Sequence, residues 1–245
     1  MRFASKRINE LPRICPFSIT SVEFSGGEPD NGSMPDREEM RVPRWYSAGV
    51  HFLGTTGASL PLVGWGASRL IGMNPGGLLF GWVFWVGVFL LIASAVEYSA
   101  HRWILHRRRP GLEHAFVEHT LRHHRWFDAG DLEARSGRDY HQILFPLWGV
   151  VLIQYGLNLP LCLVLSSFAG EWIGAIGLCV GSGFFFLYES VHAICHFPET
   201  HSVFKLWIFR ALREHHRRHH EPALMGRRNF NIVVPVWDFL LGTRA

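Results

Sequence analysis

Two stretches of the chain are almost free of charge and apolar on every face. The first runs from Ala48 to Leu70, breaks at Gly72, Asn74 and Pro75, and resumes as GGLLFGWVFWVGVFLLIASAVEYSA over 76–100. The second runs from Ile143 to Phe197, with a polar break around Ser166, Ser167, Gly170 and Glu171. A helix needs about 20 predominantly apolar residues to cross a bilayer, so each stretch has room for two spans and reads as a helical hairpin. Helices of this length that lack a polar face are rare outside membranes. The pattern therefore predicts an all-α integral membrane protein with about four transmembrane helices in two hairpins.

Polar positions sharpen this picture. Residues 1–44 are rich in Pro, Gly, Ser and charge (SGGEPDNGSMPDREEM) and lack the apolar content to form a core, so they are expected to be a flexible arm ahead of a domain over 45–245. The arm has no apolar run leading to a small-residue cleavage site, which argues against a secretory signal peptide. Arg102, Arg107, Arg108 and Arg109 follow the first hairpin, and Arg210, Arg213, Arg217 and Arg218 follow the second, whereas the turns inside the hairpins hold no basic residue except Arg69. The positive-inside rule then puts both termini and the middle segment in the cytoplasm. That distribution accounts for the net charge of +4 without a nucleic-acid partner. Trp45, Tyr46, Trp148 and Trp172 suit interfacial anchoring. The four cysteines, Cys15, Cys162, Cys179 and Cys195, form no Cys-x-x-Cys pair and suggest neither a disulfide framework nor a zinc knuckle.

The candidate chemistry is carried by histidine, of which there are 15. His101 and His106 follow the first hairpin, and then His119, His123 and His124. His192 and His196 close the second, and then His215, His216, His219 and His220. EHTLRHH and EHHRRHH share Glu-His-x-x-x-His-His, which suggests equivalent roles. Residues four apart share a helix face, so His192 with His196, and His119 with His123, are expected to reach one metal each. The adjacent pairs His123/His124 and His219/His220 diverge by about 100° and suit two neighbouring metals. His101 and His106, five apart, diverge by roughly 140° on a regular helix, so they either serve different metals or sit on a distorted helix end. So many imidazoles exceed the needs of one ion and imply two. In the last cluster His216, His219 and His220 share a face, which favours His216 over His215 as a ligand, although the internal repeat aligns His215 with His119. His51, His114, His141 and His201 stand apart and read as structural.

Several other chemistries are excluded. His-Glu-x-x-His is missing, Glu189-Ser-Val-His192 is the single Glu-x-x-His where a ferritin-like site needs two, and no phosphate-binding glycine loop is visible.

Order, spacing and membrane context together resemble the membrane fatty acid hydroxylase superfamily, the sterol desaturase and fatty acid hydroxylase group of non-haem di-iron enzymes. The resemblance covers roughly residues 80–243 and includes the closing NFNIVVPVWDFLLGT over 229–243. It implies a cytoplasmic histidine-rich helical cap holding two ferrous ions, with zinc a possible substitute in purified protein. It also implies O2 as co-substrate and hydroxylation of an unactivated C–H bond of a lipid acyl chain or similar apolar substrate. Electrons are expected from a separate cytochrome b5-like or ferredoxin-like donor, because no such domain is visible in the chain. Glu97, Glu118, Glu189 and Glu214 beside the motifs are expected to hydrogen-bond the ligating imidazoles, with Asp238 acting likewise and Asp139 either so or solvated; Phe184, Phe185 and Phe186 read first as ordinary lipid-facing or core aromatics, with the lining of a dry channel the alternative. A desaturase or a sterol or carotenoid hydroxylase on the same scaffold stays open, as does a metal-binding membrane protein without redox chemistry. The excess of Arg over Lys, 22 to 2, leans toward a bacterial plasma membrane, with the endoplasmic reticulum the expected site in a eukaryote.

Overall fold

A computed structural model describes residues 42–43, 45–71 and 79–245. The expected arm over 1–44, except for 42–43, and the break at Gly72, Asn74 and Pro75 lie outside the described residues. Helices dominate, and among the described residues no strand forms beyond an isolated bridge between Asp128 and Asp131.

Four long helices build the apolar layer. α1 covers Ala48–Ile71, and α2 covers Leu79–Ala100 and continues into a π-turn over His101–Leu105. α4 runs Leu147–Ala169 with a π-turn over Leu152–Asn158, and α5 covers Glu171–Cys195. α3 lies in the cap and is composite: Glu113–Phe116, a π-turn over Val117–His123, then His124–Trp126. Two more cap helices follow, α6 over Trp207–His219 and the short α7 over Val236–Leu240.

α5 is the central helix, and α1, α2 and α4 all pack on it. Small residues allow this close approach. A Cβ on Gly66 of α1 would meet Cys179 Sγ of α5 at 2.7 Å, and a Cβ on Gly174 of α5 would meet the Cys162 carbonyl of α4 at 2.5 Å. Where lipid tails are as apolar as the helices, such contacts and internal hydrogen bonds hold helices together. Gln154 donates to Ser59 Oγ of α1 at 2.9 Å, and Asn158 donates to Ser182 Oγ of α5 at 2.9 Å, so α1, α4 and α5 share one buried polar network.

By length and composition, three helices among the described residues are apolar enough to cross a bilayer: Gly81–Leu105, Leu147–Ala169 and Glu171–Cys195. The chain is an all-α integral membrane protein. α1 matches these helices in length at 24 residues, but it carries His51, Thr55, Thr56, Ser59, Ser68 and Arg69. Several of its polar groups face inward: Thr55 and Ser59 are fully buried, and His51 Nε2 lies 2.7 Å from the Phe145 carbonyl.

Two apolar clusters position the cap. Phe184, Tyr188, Val191 and Cys195 of α5 pack with Leu212 of α6 and with Ile232 and Val233 of the closing segment. Trp126, Phe127, Leu132, Ala134 and Ile143 form the second, tied to the end of α5 by Ala134 N–H donating to the His196 carbonyl at 2.8 Å.

Candidate metal centre

Helix geometry decides which imidazoles meet. At the end of α2 the backbone widens, and His106 N–H reaches the His101 carbonyl five residues back at 3.1 Å. Five residues turn about 140° beyond a full circle on an α-helix, but only about 50° on a π-turn of roughly 4.4 residues. The distorted helix end is the alternative the chain adopts, and the His101 and His106 rings stack with centroids 5.0 Å apart at 28°.

The π-turn in α3 acts in the same way. It brings His119 and His124, five apart, to an Nε2–Nε2 distance of 3.2 Å, and it sends His123 elsewhere. This corrects the expected pairing of His119 with His123, which assumed a regular helix. In α6 the helix is regular, and His216 and His220, four apart, approach to 3.0 Å.

Two groups result. The ligand nitrogens of His101, His106, His119, His124 and His219 all lie within 4.8 Å of one another, as do those of His123, His196, His216 and His220. His192 adjoins the second group, with ring centroids 4.9 Å from both His123 and His216. The first half of the chain thus supplies two five-spaced pairs on π-turns to the first group, and the second half supplies two four-spaced pairs, at the C-terminal ends of α5 and α6, to the second. The middle histidine of each triplet, His123 or His219, crosses to the other group.

Backbone carbonyls orient the rings. His101 Nδ1 meets the Phe230 carbonyl at 2.5 Å and His123 Nδ1 that of Gln142 at 2.9 Å. The others are His196 to Leu132 at 2.7 Å, His219 to Arg228 at 2.9 Å and His220 to Phe127 at 2.6 Å. A carbonyl only accepts, so each of these rings carries its proton on Nδ1 and turns an Nε2 lone pair inward. His123 and His220 therefore oppose lone pair to lone pair at 3.2 Å. That contact is repulsive unless a positive charge lies between. A proton is a poor candidate, because burial first, and then the neighbouring imidazoles, hold His106, His119, His124, His216 and His220 well below the ordinary histidine range. His123, His196 and His219 are lowered for the same leading reason. Converging neutral imidazoles suit borderline divalent ions such as iron or zinc, so the residues fit a pair of metals.

The carboxylates expected to hold the imidazoles do other work. Glu97 accepts from Ile232 N–H at 2.6 Å, Val233 N–H at 3.1 Å and Asn231 Nδ2 at 2.9 Å, Glu189 accepts from Phe145 N–H at 3.1 Å, and Asp139 accepts from Arg135 N–H at 2.7 Å. Glu118 pairs with Arg122, and Glu214 with Arg217 and Arg218. Asp238 acts at one remove: it accepts from Phe230 N–H at 2.9 Å, and the Phe230 carbonyl meets His101. Sequence patterns cannot reveal a carbonyl partner, since every residue has one.

His216 enters the second group, whereas His215 turns away and places Nε2 3.4 Å from Asp238. His51, His114, His141 and His201 lie outside both groups: His141 packs against Tyr46, His114 against Trp148, and His201 accepts from Val203 N–H. Phe184 joins the core beside α6, Phe185 faces Phe145 and Tyr188, and Phe186 meets Phe52.

Residues 86–243 match the model of the fatty acid hydroxylase family. Fatty acid 2-hydroxylase of Rattus norvegicus is 26% identical over 171 residues, and that of Mus musculus 28% over 166 residues. Each alignment takes in 64% of this chain and 39% of the relative, so the chain matches well under half the length of these relatives. A solved structure described as full-length scs7p, with only the hydroxylase domain visible, shares the fold at a TM-score of 0.55 and 20% identity, covering 79% of this chain and 66% of that one. With the family match spanning more than half of its length and all ten converging histidines inside it, the chain belongs to the fatty acid hydroxylase family.

Proposed function

We propose that the protein is a membrane-bound di-iron hydroxylase that inserts oxygen from O2 into an unactivated C–H bond of a lipid acyl chain. The observation that carries this reading is the convergence of ten imidazoles into two adjoining groups at the ends of α2 and α5. His101, His106, His119, His124 and His219 would hold one ion, and His123, His192, His196, His216 and His220 the other. His215, set against Asp238, is left out of the ligand set. Iron bound there would supply the activation of O2.

The chain's own residues orient and shield. Carbonyls fix five of the imidazoles in the ligating tautomer, and the closing segment over 229–243 shields the site by burying Phe230 against His101, His106 and His219. Phe145, Phe185 and Tyr188 form an aromatic path ending at His192, with Tyr188 and His192 centroids 5.8 Å apart, an apolar approach suited to a chain. The name of the rat and mouse relatives makes position 2 of a fatty acyl chain the first to examine. α1 serves as a fourth span, the histidine cap faces the cytoplasm, and a separate electron donor completes the reaction.

Lipid analysis of cells with and without the gene, paired with metal analysis of gently purified protein, tests this. A lipid class gaining one oxygen, with iron in the protein, is expected. Full activity after replacing His123 and His124 by Ala, or a lipid losing two hydrogens instead, would overturn the assignment.

A further inference from the structure

Thr120 sits within the π-turn of α3 and reaches across to the π-turn that ends α2. Its hydroxyl is 2.6 Å from the Leu105 carbonyl and 3.2 Å from His106 Nδ1. A hydroxyl has one hydrogen, and a carbonyl only accepts, so the hydrogen goes to Leu105. The remaining lone pair then accepts from His106 Nδ1–H, which leaves Nε2 of His106 as a lone pair. That Nε2 lies 2.9 Å from His219 Nε2 and 3.2 Å from His119 Nε2.

His106 needs this help for two reasons. It is the one ring of the first group that is not fully buried, so packing alone does not fix it. It also has no carbonyl partner, whereas His101 and His219 of the same group do. Leu105 closes the π-turn, and its carbonyl is one of those that a helix end leaves without an intrahelical donor. Thr120 satisfies that carbonyl and the ring together, and it latches the end of α2 to α3.

We propose that Thr120 is a positioning residue that sets the tautomer and orientation of His106 and thereby the affinity of the first metal position. The inference rests on the di-metal reading above. Partners of this kind typically change metal affinity about 10- to 100-fold when lost.

The test uses the full chain in detergent, loaded with ferrous iron under anaerobic conditions and titrated with a chelator while iron per chain is measured. Parent protein is expected to hold two ions. Thr120→Val, which keeps shape and removes the hydroxyl, is expected to release one of them at about 10- to 100-fold lower chelator and to leave the other unchanged. Thr120→Ser is expected to restore the parent curve, and on a His106→Ala background Thr120→Val is expected to add nothing. If Thr120→Val does not fold, Thr120→Ala is read in the same way. Parent-like retention in the variants lacking the hydroxyl, equal weakening of both ions, or an undiminished effect without His106 would overturn the inference alone. A parent chain that binds no iron would overturn it together with the di-metal reading.

Discussion

A single deletion tests the geometry of the histidine triplets. His119 and His124 are five apart on a π-turn, and His216 and His220 four apart on an α-turn, yet each pair converges. The angular offset is about 50° for the first and about 40° for the second, a difference of roughly 10° that moves a ring tip about 1 Å at a side-chain radius of about 6 Å. On a regular helix a five-residue spacing would instead put the rings about 140° apart, on opposite sides. A π-turn is in effect one residue more than the α-helix needs. Deleting half-buried Leu121 turns EHTLRHH into EHTRHH, with the His-x-x-His-His spacing of α6. The deletion variant is therefore expected to fold with a regular α3 and to retain two metals per chain, whereas His119→Ala is expected to lose one. Metal per chain by elemental analysis, with helicity by circular dichroism, reads the outcome. If the deletion loses one metal as His119→Ala does, the equivalence of the two turns is wrong.

Other expectations follow from single contacts. Glu97→Ala strands the buried N–H groups of Ile232 and Val233, while Asn231 Nδ2 keeps its bonds to Ser94; at about 1–3 kcal/mol for each stranded donor the loss is roughly 2–6 kcal/mol, readable in detergent-based unfolding, and a loss under about 1 kcal/mol would refute it. His215→Ala is expected to keep both metals, because Asp238 retains its bonds to Phe230, Asn231 and Thr243, while His216→Ala is expected to drop to one metal; the reverse would reassign the ligand. Chelation of the loaded protein is expected to lower its melting temperature reversibly, since it restores the opposed lone pairs of His123 and His220, and an unchanged melting temperature would count against a cation between them.

The hairpins and the histidine clusters are legible in the sequence because apolar runs and clustered imidazoles are properties of side chains. The grouping within the clusters is less so. His123 and His124 diverge as adjacent helical residues must, but which of them joins His119 depends on a π-turn that nothing in EHTLRHH announces. That His216 faces the second group and His215 does not is readable because α6 is regular. The partners of the imidazoles are invisible for another reason. Sequence reasoning looks to the nearby carboxylates, whereas the carbonyls of Phe127, Leu132, Gln142, Arg228 and Phe230 serve, and a carbonyl is available at every position. α1 shows the limit of hydropathy: its polar residues lower its apolar score, yet Ser59 is spent on Gln154 inside the helix bundle.

The crossing of His123 and His219 has a consequence for stability. If each half of the chain filled its own group, the halves could bind metal independently and associate weakly. Because His219 of α6 joins the histidines of α2 and α3, and His123 of α3 joins those of α5 and α6, neither group is complete until both halves are docked. On the di-metal reading, metal affinity would then add to tertiary stability, as it does wherever a site exists only in the folded chain. This adds to the two apolar clusters that position the cap, whose α3 is three short pieces and whose α7 is five residues long. The closing segment shares in the same coupling. Asp238 holds Phe230, Phe230 holds His101 across 129 residues of sequence, and Glu97, one turn before His101, holds Ile232 and Val233 in return. The end of the chain is thus bound to the first histidine at two points, so loosening Glu97 or Asp238 should weaken the metal group they frame without touching a ligand.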